Sequence, residues 1–269
     1  MQIEIGREIR MIDLRNKHVI ITGGTHGIGE TTAKLFSDLG CSVLIVGRDN
    51  ERAGQIIRES KGGNISFRKC DLSNRKEVEN LVGWIDNLGE IFDVLINNAS
   101  RNSRYNVLDI SLSEWDSMIQ LNLTSVLMLS KHFAKKLKDN HKKGKIINIG
   151  AVQSFFPLDS SLAYSAVKGA LRSMTKSMAV DLAPYGILVS LVMPGPIYAK
   201  AGDDKAPPDL DSRSATLLGR MGERLEVAKL LAFLASDDNS FMTGNEIVID
   251  GGRTISRKPD PIEIKEDMI

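Results

Sequence analysis

The chain has 269 residues, 42% hydrophobic and 26% charged, with 35 basic against 34 acidic side chains and a formal net charge of +1. That length and composition suit one large α/β domain with a core that needs no disulfides, and the balanced charge offers nothing to attract nucleic acid or an anionic membrane. No stretch nears the ~18–20 apolar residues of a membrane span, and Met1 to Asn16 lacks the apolar centre of a signal peptide, so a cytoplasmic protein is expected.

In chain order, short apolar runs alternate with amphipathic stretches. The pattern predicts a strand at His18–Thr22, a helix at 28–39, a strand at Ser42–Val46, a helix at 51–60, a strand at Asn64–Phe67 and a helix at 74–88. It continues with a strand at Asp93–Asn97, a helix at 113–139, a strand at Lys145–Ile149, a helix at 162–183, a strand at Leu188–Val192, a helix at 223–236 and a strand at Glu246–Asp250. Runs this apolar suit strands covered on both faces. Regular strand–helix alternation predicts an α/β, doubly wound, seven-stranded parallel sheet with helices on both faces. Nothing divides the chain, so residues 1–269 read as one domain, with a short N-terminal extension (1–16) and a charged C-terminal tail (253–269). The polar stretch 196–219 reads as a long loop of the kind that covers a site. Cys41 and Cys70 form no CxxC pair and read as buried thiols. The four histidines, 18, 26, 132 and 141, are scattered and suggest no metal site.

The first strand runs into Thr22-Gly23-Gly24-Thr25-His26-Gly27-Ile28-Gly29, and a helix follows at once. Glycines there let the backbone approach a pyrophosphate, which the free N–H groups of the helix N-terminus then receive. Tyr164 and Lys168, four apart on a predicted helix, project from one face.

The spacing Thr-Gly-xxx-Gly-x-Gly, with Asp71, Asn97-Asn98-Ala99, Asn122, Tyr164-xxx-Lys168, Pro194-Gly195 and Asp250-Gly251-Gly252 in that order, resembles the short-chain dehydrogenase/reductase family over roughly residues 17 to 252. The resemblance implies a Rossmann fold, a nicotinamide dinucleotide and hydride transfer to or from a small-molecule carbonyl or secondary alcohol. It implies that Gly23, Thr25, His26, Gly27, Ile28 and Gly29 hold the pyrophosphate. Asp71 would bond the adenine with Leu72 nearby, Asn98 and Ala99 would brace the pocket, and Ile197 after Pro194-Gly195 would meet the carboxamide. Tyr164 would be the acid/base, acidified by Lys168, which would also bond the nicotinamide ribose. Asn122 would hold a water behind Lys168. A homotetramer or homodimer is implied as well.

NAD enzymes of this fold carry an acid at the end of the second strand. Here Gly47 stands there and Arg48 follows, and a guanidinium grips a 2′-phosphate well. NADP is therefore expected; NAD stays open if Arg48 only stacks on adenine or Asp49 neutralises it. Ser73 is expected to cap the helix that follows Asp71.

Counting thirteen positions back from Tyr164, where the family carries a catalytic serine, gives Ala151. A lost donor of that kind typically costs about 2.7–4 kcal/mol of transition-state stabilisation. Several readings stay open. Ser154 or Gln153 turns inward as a substitute; the substrate brings its own polar group, or the enzyme is slow; the alanine was introduced, or the chain is a dinucleotide-binding regulatory or scaffolding protein that has lost its catalysis. Two smaller departures are Ser100, where the family has glycine, and Ala199, where it often has threonine. Phe155, Phe156, Pro157 and Leu158 would wall the substrate pocket, with Tyr198 on a lid, unless the two phenylalanines are core or interface packing.

Overall fold

The computed structural model describes residues 12–198 and 216–256. Most of the expected 196–219 loop, including Ala199, most of the N-terminal extension and most of the tail lie outside the described residues. Seven strands form one parallel sheet: β1 (His18–Thr22), β2 (Ser42–Gly47), β3 (Ile65–Lys69), β4 (Val94–Asn97), β5 (Gly144–Ile149), β6 (Ile187–Pro194) and β7 (Glu246–Ile249), in the order β3-β2-β1-β4-β5-β6-β7. The helices are α1 (Gly27–Asp38), α2 (Asn50–Glu59), α3 (Arg75–Asn87), α4 (Leu112–Ile119), α5 (Ser125–Asp139), α6 (Leu162–Leu182) and α7 (Arg224–Ala235).

Period-two alternation in the strands supplies both faces of the sheet. Val19, Ile21, Val43, Ile45, Ile96 and Ile147 pack under α1, α2 and α7 with Phe36 and Leu231, while Ile20, Leu44, Val46, Leu95 and Ile146 pack under α3 and α5 with Leu81 and Phe133. Cys41 belongs to the first layer and Cys70 to the second, and both are free and buried. Burial pushes both thiols up to about 12, which makes them inert.

Two elements differ from expectation. β3 runs to Lys69 because Arg68 and Lys69 sit on the outer part of the sheet, where polar side chains reach water. The helix expected at 113–139 is interrupted: Gln120–Thr124 forms a π-helical turn between α4 and α5, with Asn122 buried inside it. Such widened turns recur at functional sites, and periodicity alone does not reveal them.

Phe36 is fully buried in α1, the helix that begins at the glycine loop. Phe36→Ala should therefore lower the unfolding free energy by about 3–5 kcal/mol in urea titration; a loss under about 1 kcal/mol would mean that α1 is not seated as described.

Candidate active site

Strand order reverses between β1 and β4, and the crevice beyond the carboxyl ends of those strands is where open α/β sheets bind ligands. A cleft of about 830 Å³ lies there, running from Arg48, Asp71 and Leu72 past Gly23 and Ala99 to Ser100 and Ile197. Thr25, His26, Ile28 and Asn98 also line it.

The glycine loop is shaped by close approach. A Cβ on Gly29 would lie 2.2 Å from the Gly23 carbonyl oxygen, and one on Gly23, at φ +65°, would lie 2.8 Å from Ala99 Cα. The end of β4 is clipped to this loop. Thr22 Oγ1 accepts from the backbone N–H of both Asn98 and Ala99 at 3.0 Å, and Asn98 Nδ2 donates to the carbonyls of Thr22 at 3.0 Å and Gly23 at 3.1 Å. Asn98 thus ties the end of β4 to the loop, and Thr22 is a partner that sequence reading missed. No side chain caps α1, whose N-cap is His26, whereas Asp49 caps α2 and Asn74 caps α3. The first-turn N–H groups of α1 therefore remain open to an anion. A dinucleotide fits this set: a tight backbone cradle, an uncapped helix end and a cleft of about 830 Å³ where the strand order reverses.

At the far end of the cleft from Ser100, Asp71 accepts from the Ser73 backbone at 3.0 Å and hydroxyl at 2.7 Å, and its other oxygen lies 3.8 Å from Arg48 Nη1. Burial raises the Asp71 carboxyl, but the Ser73 hydrogen bonds, with Arg48 and Arg101, outweigh it and hold the group below its ordinary value. The cap of α3 is Asn74, not Ser73, because Ser73 is turned onto Asp71. Asp49 does not pair with Arg48; it caps α2 and lies 3.5 Å from His26 Nε2. Arg48 is 70% exposed at the cleft mouth.

On the other side of the sheet edge, α6 carries Tyr164 and Lys168 on one face, with the Lys168 nitrogen 5.5 Å from the Tyr164 ring centre. Lys168 is buried and donates to the Ile149 carbonyl at 2.8 Å. Asn122 Nδ2 donates to the Met118 carbonyl at 3.0 Å, and its Oδ1 accepts from the Ser100 hydroxyl at 2.7 Å. Burial pushes the Tyr164 phenol up to about 12, with the Ser100 hydroxyl a smaller opposing influence, and pushes the Lys168 ammonium down to about 8. The expected acidification of Tyr164 by Lys168 is thus not a property of the protein alone: burial dominates both groups.

Ala151 is buried and extended, ahead of a 3-10 turn at Val152–Ser154. Ser154 turns its hydroxyl back onto the Ala151 carbonyl at 2.9 Å. Pro194 ends β6, and Gly195 packs so tightly on Asp250 that a Cβ would lie 2.5 Å from the aspartate Cβ. Phe155 stacks under the Arg172 guanidinium at 4.1 Å, and Arg172 pairs with Glu246 at 2.9 Å, so this ring is held against α6. Phe156 is exposed and Tyr198 is buried. Among the described residues no group of His, Cys, Asp and Glu could hold a metal, and no helix is long and apolar enough to cross a membrane.

Comparison with known proteins agrees with this geometry. The family model described as enoyl-(acyl carrier protein) reductase matches residues 23–254. A cyclopentanol dehydrogenase of Comamonas sp. is 33% identical over 246 residues, 90% of this chain and 98% of that one. An oxidoreductase of Thermotoga maritima is 34% identical over 252 residues, 90% of this chain and 97% of that one. Among solved structures, an acetoin dehydrogenase from Salmonella typhimurium superposes with a TM-score of 0.81 at 29% identity, covering 89% of this chain and 98% of its own. A short-chain dehydrogenase/reductase family protein does so at 0.80 and 28%, covering 91% and 100%. The protein is an NAD(P)-dependent oxidoreductase and belongs to the short-chain dehydrogenase/reductase family.

Proposed function

We propose that the protein interconverts a small carbonyl compound and its secondary alcohol with NADP(H), using Tyr164 as acid/base, Lys168 as its cationic partner and Asn122 as their support. The observation that carries this reading is the cleft whose middle is the glycine loop and whose end is Ser100, bonded to the buried Asn122 at 2.7 Å, together with Tyr164 and Lys168 on one face of α6. When bound there, the nicotinamide ring supplies the hydride in reduction and takes it in oxidation. Tyr164 gives its phenolic proton to the substrate oxygen in reduction and recovers one in oxidation. Lys168, at about 8, is cationic at neutral pH and favours the phenolate. The Gly27–Gly29 turn, the uncapped start of α1 and Asn98 orient the dinucleotide, with Asp71 and Leu72 at the adenine end and Pro194, Gly195 and Ile197 at the carboxamide end.

Arg48 supports NADP over NAD: Gly47, not an acid, ends β2, and the guanidinium is not paired with Asp49. Relatives named for cyclopentanol and acetoin put a cyclic or short ketone or alcohol among the substrates to test, beside sugars, polyols and 3-oxoacyl compounds. The exposed apolar residues Leu112, Leu127 and Val180, on α4, α5 and α6, support pairing with further copies of the chain as a dimer or tetramer. A second reading, a dinucleotide-binding protein without turnover, draws on Ala151. The test is NADPH oxidation, followed by absorbance, with cyclopentanone, acetoin, sugars and β-keto esters. Turnover with any of them supports the enzyme; tight NADPH binding with none supports the second reading.

Three outcomes are expected. Tyr164→Phe should lower turnover by about 10²–10⁴ while the NADPH dissociation constant stays within about threefold, measured by fluorescence titration. Arg48→Ala should weaken NADPH by roughly tenfold or more and leave NADH nearly unchanged; equal losses would refute the 2′-phosphate role. Lys168 sits at about 8 in the fold against an ordinary value of 10.5, so between those values the unfolded chain binds the extra proton and the contribution of Lys168 to stability rises with pH. Lys168→Met should remove that contribution, read as a change in stability from pH 8 to pH 10 that is less positive in the variant than in wild type in urea titrations; Lys145, which burial also holds at about 8, contributes alike to both proteins.

A further inference from the structure

We infer that Arg101, on the segment after β4, is a binding residue for the dinucleotide that stacks a flat face of its guanidinium on the adenine ring. The proposal rests on the reading that the dinucleotide lies along the β1–β4 cleft with its adenine beside Asp71 and Leu72.

The guanidinium stands on the cleft wall. Arg101 and Ser117 both line the cleft, and their side chains meet at 3.1 Å, so the cleft reaches the guanidinium end of the arginine. Arg101 is 38% exposed, whereas its partner Glu114 is 17% exposed and is not part of the lining. Gln120, three residues beyond Ser117, donates to the Leu72 carbonyl at 3.4 Å, which brings this wall against the adenine end. Arg101 also helps to hold the Asp71 carboxyl low, against the burial that raises it and behind the stronger Ser73 bonds.

The orientation of the group is fixed by its partners. Nη1 donates to Glu114 Oε1 at 2.8 Å and Oε2 at 3.0 Å, and Nη2 donates to Glu114 Oε2 at 3.1 Å and to Ser117 Oγ. All the N–H groups of a guanidinium lie in its plane, so these bonds set the plane and occupy the fork edge. What it still offers a ligand is its two flat faces and the Nε–H. A carboxylate already neutralises it at two points, which makes it a poor grip for a phosphate. A flat, weakly hydrated face is instead a good surface for a heteroaromatic ring. The two arginines at this end therefore divide the work. Arg48, 70% exposed and 3.8 Å from Asp71, keeps its charge for the 2′-phosphate, and Arg101 takes the base. The backbone before Arg101 is set by the bonds of Asn98 and Ala99 to Thr22, and Glu114 and Ser117, one turn apart on α4, hold its tip.

The test reads contact with adenine and needs no turnover. ADP is titrated by calorimetry into wild type, Arg101→Lys and Arg101→Leu. Lysine keeps the charge and loses the plane, so both variants should bind ADP on the order of tenfold more weakly. NADH and NADPH should weaken by the same factor, unlike the one-sided loss expected for Arg48→Ala. In protein labelled with ¹⁵N-arginine, ADP should shift the Arg101 Nε–H proton upfield through the ring current of the base, and inorganic pyrophosphate alone should not; the signal is assigned by its loss in Arg101→Lys. Full ADP affinity in Arg101→Lys, a loss confined to NADPH, or a shift that pyrophosphate reproduces overturns the proposal. If wild type binds neither ADP nor NADPH, the dinucleotide reading falls and takes this proposal with it. If wild type binds both and the Arg101 variants bind them equally well, this proposal alone falls.

Discussion

The clip between the ends of β1 and β4 is the constraint on which the rest of the site depends. One threonine hydroxyl, on Thr22, accepts two backbone N–H groups from β4, and one amide, on Asn98, returns two bonds to the glycine loop. These bonds press Ala99 against Gly23 so closely that neither the loop nor its approach to a ligand survives a side chain at position 23. They also set where the chain goes next. Two residues after Asn98, Ser100 reaches the π turn and Asn122. The glycine loop and the Ser100 hydroxyl are therefore held by the same few hydrogen bonds.

Deeper in the fold, a second polar chain keeps the strand ends in register with the helices. Asn97 on β4 donates to Asn148 on β5 at 2.8 Å, and Asn148 donates to Thr175 on α6 at 2.9 Å. Buried amides of this kind cost several kcal/mol if unpaired, so their pairing fixes α6, with Tyr164 and Lys168, against the sheet edge. The electrostatics of that edge are unsettled without a ligand. A phenol at about 12 and an ammonium at about 8 are each held in their neutral-favouring direction by burial.

Much of this was legible in the sequence because it depends on local patterns. The apolar runs gave all seven strands to within about two residues, and the glycine spacing located the turn between β1 and α1. Tyr164 and Lys168 share a face because helical geometry requires it, and the expected free, buried state of Cys41 and Cys70 follows from their apolar neighbours. What was not legible depends on tertiary contact. The π turn at Asn122 leaves no trace in periodicity. Thr22 looked like an ordinary strand residue until β4 was laid beside it. Asn74 displaced Ser73 as a helix cap because Asp71 had already claimed the serine. Ser100 stood out as a departure from a glycine, yet its meaning required the position of Asn122. The burial that raises Tyr164 opposes the simple expectation that a lysine one turn away lowers it.

The central claim is that a dinucleotide lies along the β1–β4 cleft with its reactive ring against Tyr164. A crystal structure of the protein grown with NADP tests it most directly. The account predicts the pyrophosphate on the backbone N–H groups of Gly27 to Gly29, the 2′-phosphate beside Arg48, and the nicotinamide in contact with Tyr164 and Ile197. A nucleotide bound elsewhere, or a nicotinamide facing away from the phenol, would contradict it.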